Sequence, residues 1–351
     1  MLFKKTLLML SCLIMLMLAG AVVPGDAQAE TKIAFTATGD GNGEVYVMDA
    51  DGSNQTNLTN NPLSYEYYPA WSPYGTQVAF VSNQDGGDWE IYRMDADGSN
   101  ETRLTNSAGN DLAPAWSPDG SQIAFSSYRD GNMEIYLMDA SDGSNLTRLT
   151  YNSFPLYSSI DYGPSWSPDG TQIAFQTYRH GTSPSSQNIE IYKMDADGSN
   201  QTRLTNEPLS DGVPAWSPDG TQIAFTTYRT GNAEIFVMDA DGSNPTNLTN
   251  DPSDDSAPEW SPDGTEIAFD SDRDGDDEIF VMDADGSNPT QITTNGTDDS
   301  GPAWSFAVAE SVPATSANGT VTLVLLMAGL TLLALAVVRQ RRLLERESRR
   351  G

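Results

Sequence analysis

Two short motifs alternate along this chain, six copies of each, and they are out of phase at its ends. One is a Trp-Ser pair, at Trp71, Trp116, Trp166, Trp216, Trp260 and Trp304, continued by proline in every copy but the last. The other is Glu-(Ile/Val)-(Tyr/Phe)-x-Met-Asp-Ala, starting at Glu44, Glu90, Glu134, Glu190, Glu234 and Glu278. The series opens on the second motif and closes on the first, so the chain starts and stops in mid-repeat. An open stack gains nothing from complementary half-repeats, whereas a closed ring joins them. Spacings of 44 to 50 residues between tryptophans suit one four-stranded unit each. The expectation is an all-β, six-bladed β-propeller of four-stranded antiparallel blades, closed by a C-terminal strand that joins the N-terminal blade.

The segment from Pro214 to Asn250 shows one unit cleanly. Pro214-Ala215-Trp216 reads as a short strand, and Ser217-Pro218-Asp219-Gly220 as a turn in which proline fixes φ and glycine accepts a left-handed conformation. Gln222–Phe225 is a second strand. Glu234–Met238 is a third, with little alternation, as expected where both faces are covered. Asp241–Asn244 turns into a polar outer strand, Thr246–Thr249. With strands labelled a to d from the ring axis outward, blade 1 takes b, c and d from Lys32–Phe35, Glu44–Met48 and Thr56–Thr59. Its a strand comes from Pro302–Ser305.

The repeated WSPDG…IAF…EIY.MDADGSN…LT pattern resembles the TolB-type, WD40-like propeller repeat, which also occurs in the propellers of tricorn-like and prolyl-oligopeptidase-like proteases. The resemblance implies the fold, and a binding role in the cell envelope. TolB-type proteins carry an α/β domain before the propeller, and here the repeats begin within a few residues of Glu30, so the resemblance transfers no partner.

Both ends read as targeting segments. Lys4 and Lys5, an apolar run from Leu7 to Val23, and Ala27-Gln28-Ala29 give residues 1–29 the order of a secretory signal peptide. Residues 30–305 are the propeller, and 306–320 a short tether. Residues 321–338 are apolar enough for a membrane-spanning helix. The arginine-rich tail 339–351 would stay in the cytoplasm and leave the propeller outside, in the periplasm or on the cell surface. This tail also resembles sorting signals of the PEP-CTERM and IPTL-CTERM type, although their defining tetrapeptides are not matched.

Between Glu30 and Asn318 there are 46 acidic and 10 basic residues, a balance of −36. Nucleic acid is excluded as a partner class, because phosphate neutralisation needs lysine and arginine. The one cysteine, Cys12, lies in the N-terminal apolar run, and the one histidine is His180, so Cys- and His-based metal centres are excluded from the propeller. No G-x-S-x-G elbow is present. Asp-Ala-Asp-Gly-Ser-Asn has its glycine at the wrong place for an EF-hand loop and reads as a hairpin turn.

Two sets of residues stand out as candidates. An acidic residue lies five positions before every repeated tryptophan: Glu66, Asp111, Asp161, Asp211, Asp255 and Asp299. Sixfold closure would put them near one mouth of the channel, where they would attract a divalent cation such as Ca2+, with no other cofactor expected. The alternative is that each accepts backbone N–H bonds in its own d–a loop. The second set is aromatic. Insertions at Tyr151–Gly163 and His180–Asn188 extend the d–a and b–c loops of blade 4 on one face, bringing Phe154, Tyr157, Tyr162 and His180. Tyr65, Tyr67 and Tyr68 join that face from blade 2. The functional expectation is a monomeric, non-catalytic binding scaffold for a protein or an envelope polysaccharide. The alternative is a carboxylate-dependent hydrolase or lyase acting on polysaccharide or peptide, which needs two carboxylates about 5–9 Å apart.

Overall fold

The turn chemistry repeats so regularly that each repeat closes on itself before the next begins. At the a–b turn of blade 5, Asp219 Oδ1 accepts from the Thr221 backbone N–H (3.0 Å), the Ser217 hydroxyl (2.7 Å) and the Thr221 hydroxyl (2.8 Å). These bonds hold its carboxyl below the usual range, the Thr221 amide foremost. At the c–d turn, Asn244 Nδ2 donates to Asp239 Oδ2 (2.7 Å) and the Ser243 amide to Asp241 Oδ1 (2.9 Å). Gly242 has φ +88, and a Cβ there would lie 2.6 Å from the Leu204 carbonyl oxygen, so glycine lets this turn lie against the backbone of blade 4. The repeated aspartates Asp219, Asp239 and Asp241 thus serve the turns.

The computed structural model describes residues 31–152, 160–179 and 188–306. They form six four-stranded antiparallel sheets, each in the order a-b-c-d, within one compact unit, Gln28–Val308. Among the described residues there is no helix, and hence none that could cross a membrane. The sequence-expected signal peptide (1–29) and membrane helix (321–338) lie outside the described residues, as do Phe154, Tyr157 and His180.

Closure occurs as the repeat phase requires. In blade 1 the a strand is Asp299–Trp304, paired with the b strand Lys32–Ala37, Ile33 opposite Trp304 and Ala34 opposite Ala303. The Ser305 amide donates to the Lys32 carbonyl (2.7 Å), and the Lys32 amide to the Ser305 hydroxyl (2.7 Å). The core is six clusters, one at each blade–blade interface. At the seam, Ala268, Ile279 and Val281 of blade 6 pack with Ile33, Phe35, Met48 and Trp304 of blade 1. Each b strand contributes a fully buried phenylalanine to such a cluster: Phe35, Phe80, Phe125, Phe175, Phe225 and Phe269. Each of these rings contributes about 1.5–3 kcal/mol by leaving water.

Two boundaries differ from the sequence reading. The d strands pair over only two residues in every blade, such as Thr246–Asn247, after which Asn247 Oδ1 accepts from the amides of Thr249 and Asn250. The a strands start earlier, at the acidic residue, as in Asp211–Trp216, and pass through a bulge. Its third residue is left-handed in every blade: Tyr68, Ala113, Gly163, Val213, Ala257 and Gly301, with φ from 50 to 63.

Candidate binding face

The d–a and b–c loops emerge on one face and bond to each other there. The Tyr65 amide of a d–a loop donates to Asn83 Oδ1 of a b–c loop (2.9 Å), and the Trp89 amide to Asn110 Oδ1 (3.1 Å). On this scaffold five aromatic rings form a row. Tyr65 stacks on Tyr67 (centroids 6.3 Å apart, planes 8° apart), and both lean on Trp89 (6.5 and 5.5 Å). Tyr67 reaches Tyr68 (6.4 Å), and Tyr68 meets Tyr162 edge-on at 6.3 Å. Tyr68 belongs to blade 2 and Tyr162 to blade 4, so the row joins two blades that are not neighbours in the ring. Burial pushes the Tyr162 phenol well above its ordinary pKa, with Tyr68 adding to it.

The local causes are readable. Tyr67 sits where Gly43 leaves room, since a Cβ on Gly43 would lie 2.6 Å from the Tyr67 ring. Tyr68 is 48 % exposed because the bulge turns it off the sheet. Leu63 (95 % exposed), Leu209, Val213, Tyr128 and Tyr228 are further exposed apolar side chains carried by the d–a loops, the b–c loops and the bulge. Of the seven aromatic and histidine candidates, the structure brings Tyr65, Tyr67, Tyr68 and Tyr162 into one row. Trp89, the one tryptophan outside the Trp-Ser series, was not singled out from sequence. Its position just before Glu90, at the end of a b–c loop, was the available signal.

The six periodic carboxylates are all buried at the start of their a strands, none more than 1 % exposed. Four are occupied by arginines that follow the b strand of the same blade: Asp111 by Arg129 (2.8 Å), Asp161 by Arg179 (2.6 Å), Asp211 by Arg229 (2.9 Å) and Asp255 by Arg273 (2.8 Å). Each guanidinium also lies over two rings, as Arg129 over Phe125 (5.4 Å) and Tyr136 (4.9 Å). Glu66 and Asp299 meet no arginine among the described residues. Glu66 Oε1 takes the hydroxyls of Ser64 (2.5 Å) and Ser82 (2.8 Å), and Asp299 Oδ2 takes Asn295 Nδ2 (2.6 Å). Burial pushes both carboxyls up to about 7, with a neighbouring glutamate, Glu44 or Glu278, adding to it.

The backbone amides of the d–a loops go to a different residue, the glutamate that opens each c strand. Glu90 Oε1 accepts from the Ser107 amide (2.9 Å) and Glu134 Oε1 from the Asn152 amide (2.7 Å). Glu190 follows the same pattern at the d strand, where its Oε2 takes the Thr205 hydroxyl (2.7 Å). The Glu of the second motif therefore ties the outer strand to the sheet.

Comparison with known proteins agrees with this architecture. A family model described as the TolB beta propeller domain matches residues 21–110, 103–209 and 205–331. The chain is 43% identical over 58 residues to the Tol-Pal system protein TolB of Desulfosudis oleivorans, covering 16% of this chain and 13% of that protein. The crystal structure of TolB from Acinetobacter baumannii superposes with a TM-score of 0.67 at 25% identity, over 78% of this chain and 66% of that one. A structure assigned to TolB from Agrobacterium tumefaciens gives 0.60 at 26% identity, over 75% and 88%. The chain thus spans less than two thirds of the curated relative and of the A. baumannii protein. It belongs to the TolB beta propeller domain family.

Proposed function

We propose that the chain is a non-catalytic binding scaffold held outside the cytoplasm, and that its partner, a protein of the envelope, docks on the loop face around the aromatic row. The observation that carries this reading is the row itself: Tyr67, Tyr68 and Tyr162 at the starts of a strands, with Tyr65 and Trp89 on the adjoining loops, held ring to ring. Rigid tyrosines and tryptophans give large contact area at low entropy cost and dominate protein interfaces. Likeness to TolB proteins supports an envelope location and a protein partner. Export through residues 1–29 and anchoring through 321–338 belong to the proposal and rest on their sequences.

A second reading, envelope polysaccharide, draws on the flat Tyr65–Tyr67 stack, a surface on which a sugar ring can lie. Catalysis is disfavoured by where the carboxylates sit. Asp111, Asp161, Asp211 and Asp255 are bonded to arginine inside the blades. A pull-down from envelope extract, run beside a glycan array, separates the two partners. Capture of a defined protein without glycan signal supports the first reading, and glycan binding alone replaces it with the second. Turnover of a captured sugar or peptide would overturn the non-catalytic assignment.

A further inference from the structure

Blade 6 breaks the electrostatic pattern of blades 2 and 3 where the b–c loop meets the c and d strands. In blade 3 that place is neutralised. Asp130 accepts from the Tyr136 hydroxyl and from Arg148 Nη1 (3.0 Å), and Glu134 Oε1 accepts from Arg148 Nη2 (2.9 Å) and Asn132 Nδ2 (2.5 Å). Blade 2 repeats it: Asp85 takes Tyr92 (2.6 Å) and Arg103 (2.9 Å), and Arg103 also holds Glu90 (2.8 Å). Blade 6 keeps both acids, as Asp274 and Glu278. It has Gln291 in place of the arginine, Phe280 in place of the tyrosine, and Asp276 in place of Asn132. A guanidinium and a phenol are gone, and a carboxylate stands where an amide donated.

The consequence is a carboxylate group without a counter-charge. One oxygen from each of Asp274, Asp276 and Glu278 lies within 4.8 Å of the others. Asp299 adjoins Glu278, whose charge helps to raise the Asp299 carboxyl. Of these four, Asp274 takes the side-chain amide of Gln291 (Nε2, 2.5 Å) and Asp299 that of Asn295 (Nδ2, 2.6 Å). Glu278 Oε1 accepts the Asn295 amide (3.0 Å) on the loop into the closing strand. Oδ2 of Asp276, Oε2 of Glu278 and Oδ1 of Asp299 are buried and accept no hydrogen bond, and Glu278 and Asp299 are 1 % and 0 % exposed. Among the described residues no ion pair reaches any of the four. Buried unpaired carboxylates are costly unless a cation neutralises them.

We propose that blade 6 holds a Ca2+ ion between the carboxylates of Asp274, Asp276 and Glu278, in the place that Arg103 and Arg148 fill in blades 2 and 3. Oxygens no more than 4.8 Å apart lie within reach of one ion at Ca–O distances of about 2.3–2.6 Å. The exposed Asp274 leaves a side open for water, which completes the oxygen shell that Ca2+ takes. The ion ties the b–c loop of blade 6 to its c strand at Glu278, which itself accepts the Asn295 amide of the loop into the closing strand. It lies apart from the channel ring considered from sequence, sharing only the neighbourhood of Asp299.

The test uses the full-length chain, stripped with EDTA and titrated with CaCl2 to a few millimolar, with MgCl2 and NaCl at matched ionic strength as controls. Ca2+ should raise the thermal midpoint, as a ligand of the folded state must. Asp276→Asn, the residue of blade 3, should weaken the apparent affinity at least tenfold. Gln291→Arg should raise the Ca2+-free midpoint and abolish the response. No shift in the wild-type chain, a shift matched by NaCl, or equal shifts in wild type, D276N and Q291R would each overturn the site.

Discussion

The arginines inside the blades make a sharp prediction about which half of a buried pair matters more. Asp111 is 0 % exposed and its Oδ2 is held by Arg129 at 2.8 Å, whereas the arginine side chain keeps 17% of its surface in solvent. Arg129→Met therefore leaves a buried carboxylate without its counter-charge, held only by the Ser107 hydroxyl at Oδ2 (3.2 Å) and with Oδ1 already lacking a hydrogen-bond partner. Breaking a buried pair from that side costs about 3–5 kcal/mol. Asp111→Asn leaves Arg129 its contacts with Phe125, Tyr136 and the Ser127 hydroxyl (2.6 Å) and its route to water. Its cost is that of one charge-assisted hydrogen bond, about 1.5–3 kcal/mol. The double variant Asp111→Asn/Arg129→Met removes both charges and should lie within about 1 kcal/mol of the milder single variant. Urea unfolding of all four proteins, followed by tryptophan fluorescence, gives the cycle. Additive losses, or an Asp111 variant worse than the Arg129 variant, would refute the argument that desolvation of the carboxylate dominates.

Further outcomes follow from single positions. Burial pushes the Asp270 carboxyl up to about 7, with Asp277 and Asp255 facing it and the Ser256 hydroxyl as its partner (3.2 Å). A folded-state value above the unfolded one means the folded chain holds the proton more tightly, so this group's contribution to stability is greatest below about 4 and is lost as pH rises to about 7. Asp270→Thr, the residue of blade 5, should raise stability at pH 7.5 by on the order of 1–4 kcal/mol and flatten the slope between pH 4 and 7. An unchanged slope in pH-dependent urea midpoints would contradict it. Trp304→Ala, in the closing strand and 5 % exposed, should cost about 3–5 kcal/mol and expose the seam between blades 6 and 1 first in hydrogen exchange. Protection lost evenly around the ring would argue against a seam.

What could be read from the sequence, and what could not, divides along the repeats. The phase of Trp304 against Glu44 fixes the closing strand, because period and strand order survive in a string of letters. Gly220 and Gly242 likewise announce their turns. The role of Asp111 was not readable, since its arginine lies 18 residues away and pairs only once the a and b strands align. The same holds for Glu90, whose bond to the Ser107 amide depends on how the d strand ends. The aromatic face was partly legible: loop-length arithmetic put Tyr65, Tyr67, Tyr68 and Tyr162 on one side. Contact between Tyr68 and Tyr162 depends on a bulge that no residue type requires, as alanine and valine occupy it in other blades. Trp89 was hidden because it interrupts no pattern.

The central claim is that the partner meets the loop face and not the opposite one. It is tested most directly by comparing capture from envelope extract by the wild-type chain, by Tyr65→Ser/Tyr68→Ser on the loop face, and by Tyr74→Ser at the a–b turn on the other side, where Tyr74 is 65 % exposed. With all three melting alike, the account predicts that the double variant loses capture at least tenfold while Tyr74→Ser keeps it. Equal capture by all three, or loss on Tyr74→Ser alone, would contradict it.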